Sequence, residues 1–184
     1  MSGIKQRLRW LPNAITITRL ACLPVLLVML LLAPGPTSLS AAIFFAVLAL
    51  TDFADGILAR ALDARTNFGR IADPLADRLL MAVGLIGVLV LGRFWWPGPL
   101  IILVRDALTI VGFVWLARRG VVMKIDFMGK VSSGLNMGVV AVGMAFAADY
   151  INWVFLAAVI LSVLTFANYV RIAVVRLRAP DLKG

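Results

Sequence analysis

The chain has 184 residues, 62% of them hydrophobic, with a mean hydropathy of +1.02 and a formal net charge of +9. This apolar share lies well above the roughly 45–50% of soluble domains, so an ordinary soluble protein is excluded and an integral membrane protein is indicated. The basic residues flank apolar runs, which points away from nucleic acid and toward the lipid bilayer's anionic headgroups and phosphate-bearing substrates.

In chain order, Lys5, Arg7 and Arg9 alternate with apolar residues and predict a short surface helix over residues 2–10, within a juxtamembrane segment 1–12. The apolar run that follows ends at Pro34-Gly35-Pro36 without a small-x-small cleavage pattern, so it reads as an uncleaved first span. The single cysteine, Cys22, sits in this run and leaves no intrachain disulfide to form. Predicted spans at 13–33, 38–62, 69–92, 97–118, 129–147 and 151–174 each approach the roughly 20 residues that cross a bilayer. Ser38 is placed to cap the second helix, and Trp95 and Trp96, between the third and fourth, suit a membrane–water interface. The expected fold is all-α: a single domain over 1–184, with a six-helix bundle at 13–174 and a basic tail at 175–184.

Cations set the orientation. Lys5, Arg7 and Arg9, then Arg60, Arg65, Arg70 and Arg78, then Arg118, Arg119, Lys124 and Lys130, and finally Arg176, Arg178 and Lys183 fall on one side; the other connections hold only Arg93. By the positive-inside rule both termini are cytoplasmic, which an even number of spans satisfies. No internal repeat or low-complexity tract interrupts this pattern.

The acidic residues carry the chemistry. All nine are aspartate, there is no histidine, and five of the nine lie between Asp52 and Asp77. Asp52 and Asp55, spaced by three, and Asp73 and Asp77, spaced by four, each share a helix face. A short connection makes the two helices antiparallel neighbours, so both pairs can face one cleft open to the cytoplasm. Four carboxylates so close raise one another's pKa, and divalent cations relieve this. With only oxygen ligands the metal is hard: Mg2+ or Mn2+, with Ca2+ the alternative. Asp63 lies off both faces and reads as a solvated loop carboxylate. Gly56 and Ala59 keep the face thin for a ligand, Gly69 permits close packing at the start of the third span, and Arg60 and Arg70 suit phosphate oxygens. For Arg60 an anchor at the headgroups is the other reading.

Asp52-x2-Asp55-Gly56-x2-Ala59-Arg60-x8-Gly69-x3-Asp73-x3-Asp77 resembles, at every fixed position, the signature of the CDP-alcohol phosphotransferase family. The resemblance implies six transmembrane helices, usually in a homodimer, and displacement of CMP from a CDP-linked lipid by an alcohol. It implies that Asp52, Asp55 and Asp73 are metal ligands. Asp77 is then the base for the acceptor hydroxyl and a contact of a second metal ion. Gly56 and Ala59 become the surface against which the cytidine nucleotide packs.

The acceptor is expected to be chosen outside the signature. Asn13, Thr16 and Arg19, with Asp73-Pro74 and Gly129-Lys130, resemble the phosphatidylglycerophosphate synthase and cardiolipin synthase branch. Arg19, Arg105 and Lys130 are the expected acceptor-binding residues, with Lys124 a further candidate. A buried structural pair is the other reading of Arg105-Asp106, and plain inside-loop charge that of the lysines. The synthases that use glycerol-3-phosphate tend to carry Arg-Glu at the former position and another arginine about two turns on, where this chain has Asp106 and Phe113. The region around Arg105, and Lys130-Val131-Ser132, look equally like cardiolipin synthases.

Asn136, Asn168 and Tyr169 read as interhelical hydrogen-bonding groups, and Arg171 and Arg176 as anchors of the last helix. The expected function is transfer of phosphatidyl from CDP-diacylglycerol to glycerol-3-phosphate at the cytoplasmic face of a bacterial inner membrane. Cardiolipin synthesis from phosphatidylglycerol is the alternative, and a cation-binding transporter a distant one.

Overall fold

The structure is a computed structural model that describes residues 11–61, 67–119 and 127–178, giving the backbone alone for 52–61 and 67–74 among others. Among the described residues there are six helices and no strand: α1 (Leu11–Leu31), α2 (Leu39–Ala61), α3 (Asn67–Val90), α4 (Pro97–Arg118), α5 (Phe127–Ala145) and α6 (Asp149–Arg178). Each coincides with a predicted span to within a few residues. Residues 2–10, where a surface helix is expected, lie outside the described residues.

Local chemistry sets the helix ends. After Leu31 the amides of Leu32 and Ala33 bond back to Val28 and Leu30 carbonyls (2.9 and 3.4 Å), and Pro34-Gly35-Pro36 stops the helix. Ser38 caps α2: its hydroxyl accepts from the Ala41 amide at 3.3 Å and its own amide donates to the Met144 carbonyl at 2.7 Å. At the end of α3, Gly92 has φ +61°, and the amides of Gly92 and Arg93 bond to the carbonyls of Leu89 and Val88 at 3.0 Å each. This is a Schellman closure, which calls for a left-handed residue that glycine supplies without a Cβ clash. Pro97 occupies the first position of α4, where its missing N–H is not needed. Asp149 opens α6, a carboxylate at the positive end of the helix dipole.

The chain divides into two compact units, Met1–Arg93 with Val140–Ala147, and Phe94–Val139 with Ala148–Gly184. In the first, α1 packs on α3 and α2, and α2 packs on α3. Its core joins Leu26, Leu30, Phe45, Leu80, Leu85 and Val140. Glycines bring the backbones together: a Cβ on Gly84 would lie 2.6 Å from Phe45 Cε2, and one on Gly87 2.4 Å from Leu30 Cδ1. Arg93 closes this unit by donating from Nε to the Phe146 carbonyl at 3.0 Å.

In the second unit α4 packs on α6. Phe94 stacks on Phe155 with centroids 4.0 Å apart, and Gly98 makes room for the same ring, a Cβ there falling 2.5 Å from Phe155 Cε1. Among the described residues three helices are long and apolar enough to cross a membrane, over Ala14–Leu31, Pro97–Leu116 and Asp149–Val175; Leu39–Thr51 and Val131–Ala145 are shorter apolar stretches. Large apolar side chains such as Leu32, Leu50, Val111 and Leu164 are exposed, a surface that suits lipid rather than water.

Candidate active site

The signature occupies the last turns of α2 and the first turns of α3. Short connections make α1, α2 and α3 an alternating up-down set, so the start of α1, the end of α2 and the start of α3 share one end. At 1.5 Å per residue, Asp52 and Asp55 lie about 14 and 9 Å from that end, and Asp73 and Asp77 about 9 and 15 Å. The backbone therefore brings both aspartate pairs to one level of the first unit. Gly56, Ala59 and Arg60 follow on α2, and Gly69 and Arg70 precede Asp73 on α3.

Asp52, Asp55 and Asp73 belong to the part described as backbone, and Asp63 and Lys124 lie outside the described residues. Lys130 is on α5, also with its backbone alone described. Asp77 is half-buried, and Asp77 and Arg78 both have interaction partners. Among the described residues no three acidic, histidine or cysteine side chains gather as a metal site.

Arg19 lies on α1 about 12 Å from the same end, the level of the aspartates. It is 2% exposed, and Thr16, one turn before it, is 1% exposed. A buried guanidinium in an apolar bundle is stable only with partners, and both residues have them. Arg19 is thus the one expected acceptor residue whose described side chain belongs to the unit that carries the signature.

Arg105 belongs to the second unit, buried at 8% exposure beside the equally buried Asp106. Its Nη1 donates to Asp106 Oδ1, its Nη2 to Ser132 Oγ at 3.2 Å and its Nε to the Ser162 carbonyl at 3.4 Å. Ser132 and Ser162 hydroxyls are 3.2 Å apart, and Asn136 Nδ2 donates to Ser162 Oγ at 2.6 Å. Asn136 fulfils its expected interhelical role. Asn168 is exposed, and the buried Tyr169 hydroxyl has no hydrogen-bond partner among the described residues; its ring instead lies against Phe113, with centroids 6.2 Å apart. Ser162 carries no motif, and Ser132 stands only in the Lys130-Val131-Ser132 run; neither is marked in the sequence as a partner of Arg105. Arg171 is exposed, as an anchoring role requires, and the side chain of Arg176 lies outside the described residues.

The chain matches the CDP-alcohol phosphatidyltransferase family over residues 9–164, a range that contains the whole signature from Asp52 to Asp77 together with Arg19, Arg105 and Lys130. It belongs to that family. This phosphatidyltransferase is therefore an enzyme rather than the transporter weighed above. It is 33% identical over 175 residues to a Mycobacterium tuberculosis protein named "Probable phosphatidylglycerophosphate synthase", covering 90% of this chain and 82% of the relative. It is 31% identical over 131 residues to a CDP-diacylglycerol--glycerol-3-phosphate 3-phosphatidyltransferase of Wigglesworthia glossinidia brevipalpis, covering 69% of this chain and 72% of the relative. A Bacillus subtilis protein of the same name is 34% identical over 136 residues, covering 67% and 70% respectively.

Proposed function

We propose that this phosphatidyltransferase moves the phosphatidyl group of CDP-diacylglycerol onto glycerol-3-phosphate, forming phosphatidylglycerophosphate and releasing CMP. The observation that carries this reading is the buried Arg19 at the level of the two aspartate pairs. A guanidinium at that level offers a forked donor for a small phosphate-bearing acceptor. The names of the relatives support the same acceptor.

The donor set suits hard divalent ions, since all four ligand candidates are carboxylates and the chain has no histidine. Asp52, Asp55, Asp73 and Asp77 would hold two ions, Mg2+ or Mn2+. When bound, these polarise the diphosphate and neutralise the departing CMP. Asp77 takes the proton of the acceptor hydroxyl, whose oxygen bonds to the phosphatidyl phosphorus as the bond from that phosphorus to the CMP oxygen breaks. Gly56, Ala59 and Gly69 leave room for the nucleotide, Arg60 and Arg70 hold its phosphate oxygens, and Arg19 receives the acceptor phosphate.

In this reading the chain is one catalytic membrane domain with six spans and cytoplasmic termini, paired as a homodimer in a bacterial inner membrane. Its cleft opens to the cytoplasm and to the lipid that supplies the donor. The distribution of cations along the sequence supports this orientation.

Purified protein in vesicles with CDP-diacylglycerol and Mg2+ should release CMP on addition of glycerol-3-phosphate and yield phosphatidylglycerophosphate. Product formed from phosphatidylglycerol instead would assign cardiolipin synthesis, and no CMP release with either acceptor would sink both assignments.

A further inference from the structure

Arg105 and Asp106 are adjacent, opposite in charge and each 8% exposed, in a helix long and apolar enough to cross a membrane. A charge so placed is tolerated only when it is paired or faces water. The guanidinium is paired inside the protein, through Asp106 on α4, Ser132 on α5 and the Ser162 carbonyl on α6. Two further bonds, Ser132 to Ser162 at 3.2 Å and Asn136 to Ser162 at 2.6 Å, tie α5 directly to α6. One cation thus stands where three helices meet, its charge balanced by its own sequence neighbour.

We propose that Arg105 and Asp106 form an internally neutralised clamp that holds α4, α5 and α6 together. Arg105 is a positioning residue, not a ligand of the acceptor phosphate. An incoming phosphate would meet the Asp106 carboxylate as well as the guanidinium, and would have to displace the bonds to two other helices. The forked guanidinium suits this work because its planar nitrogens hold their donors in fixed directions, whereas the three donors of an ammonium rotate on a flexible stem. The proposal does not depend on which alcohol is the acceptor, since its primary readout is thermal stability.

The test compares Arg105→Met, Asp106→Leu and the double variant in detergent and in vesicles. Removing Asp106 leaves the Arg105 guanidinium buried without its counter-charge and removing Arg105 takes the shared donor from α5 and α6, whereas removing both takes the buried guanidinium and its counter-charge away together. Each single variant should therefore unfold at a lower temperature than the parent, and the double variant should regain most of the loss. In the double variant the KM for glycerol-3-phosphate, or for whichever acceptor is active, should stay within about threefold of the parent. Arg105→Lys should lower the unfolding temperature without raising that KM. A double variant no more stable than the weaker single variant would overturn the clamp. So would a stable double variant whose acceptor KM rises tenfold or more, because Arg105 would then be touching the acceptor. If no acceptor supports CMP release, the functional assignment fails while the stability comparison still decides the clamp.

Discussion

Asp77 and Arg19 divide the proposed chemistry into two measurable parts. A base acts on the chemical step, so Asp77→Asn should lower kcat by about a hundredfold to ten-thousandfold. A phosphate ligand acts in binding, so Arg19→Ala should raise the KM for glycerol-3-phosphate by about tenfold or more, in line with the loss of a charge-assisted hydrogen bond. Steady-state CMP release with each substrate varied in turn separates the two. Full activity in Asp77→Asn contradicts its assignment as base, and an unchanged KM in a folded Arg19→Ala contradicts its assignment as phosphate ligand. These residues were legible in the sequence because charge in an apolar chain is expensive and therefore conspicuous. The partners of Arg105 were not. Serine is common in membrane helices, and neither Ser162 nor the Lys130-Val131-Ser132 run marks a partner for Arg105. The possibility that Arg105-Asp106 is a buried pair stood open beside acceptor binding, and only the three-dimensional meeting of α4, α5 and α6 supplies a reason to choose between them.

Helices and their ends were legible for a different reason. Apolar runs broken by Pro34-Gly35-Pro36 or by the tryptophan-rich connection near Pro97 leave little freedom in where a helix stops, and Ser38 caps α2 as its position suggests. The role of individual glycines was not legible, since the same residue serves packing at one site and nothing at another. Gly84 faces Phe45 and Val140, where an added Cβ would fall 2.6 Å from the ring and 3.1 Å from Val140 Cγ1, while Gly112 on α4 has nothing within 4 Å. Phe45 is fully buried. Gly84→Ala should therefore cost about 1–3 kcal/mol through overpacking. Gly112→Ala should be neutral or slightly stabilising through helix propensity alone. Thermal unfolding of the two variants in the same detergent checks the contrast, and equal unfolding temperatures would contradict it.

Across the whole molecule the cations make a prediction about sidedness. Cysteines placed one at a time in a Cys22→Ser background should react with a membrane-impermeant thiol reagent from opposite faces. Positions 35 and 147 should label from outside, and positions 5 and 183 only after the cytoplasmic face is exposed. Labelling of positions 5 and 183 on opposite faces would rule out an even number of spans. The last helix fits this arrangement. Its thirty residues extend about 45 Å at the usual helical rise. That exceeds the roughly 30 Å hydrocarbon layer, which leaves its final turns, with the exposed Arg171 among them, for the headgroups.

Sequence alone determined the membrane class, the six helices and the aspartate constellation, because each rests on a local property: hydropathy over a span, a cap or break, a spacing along one helix. It also carried the family resemblance, since a signature is a linear object. Tertiary structure decided what depends on residues far apart in the chain. Arg19 and the aspartates share one level because α1, α2 and α3 pack together, and Arg105 is enclosed because Ser132 and Ser162, on two other helices, converge on it. Burial and partnership are properties of neighbours in space. A charge's sequence neighbours state what it costs to bury, and its spatial neighbours determine whether it is held for structure or left to meet a substrate.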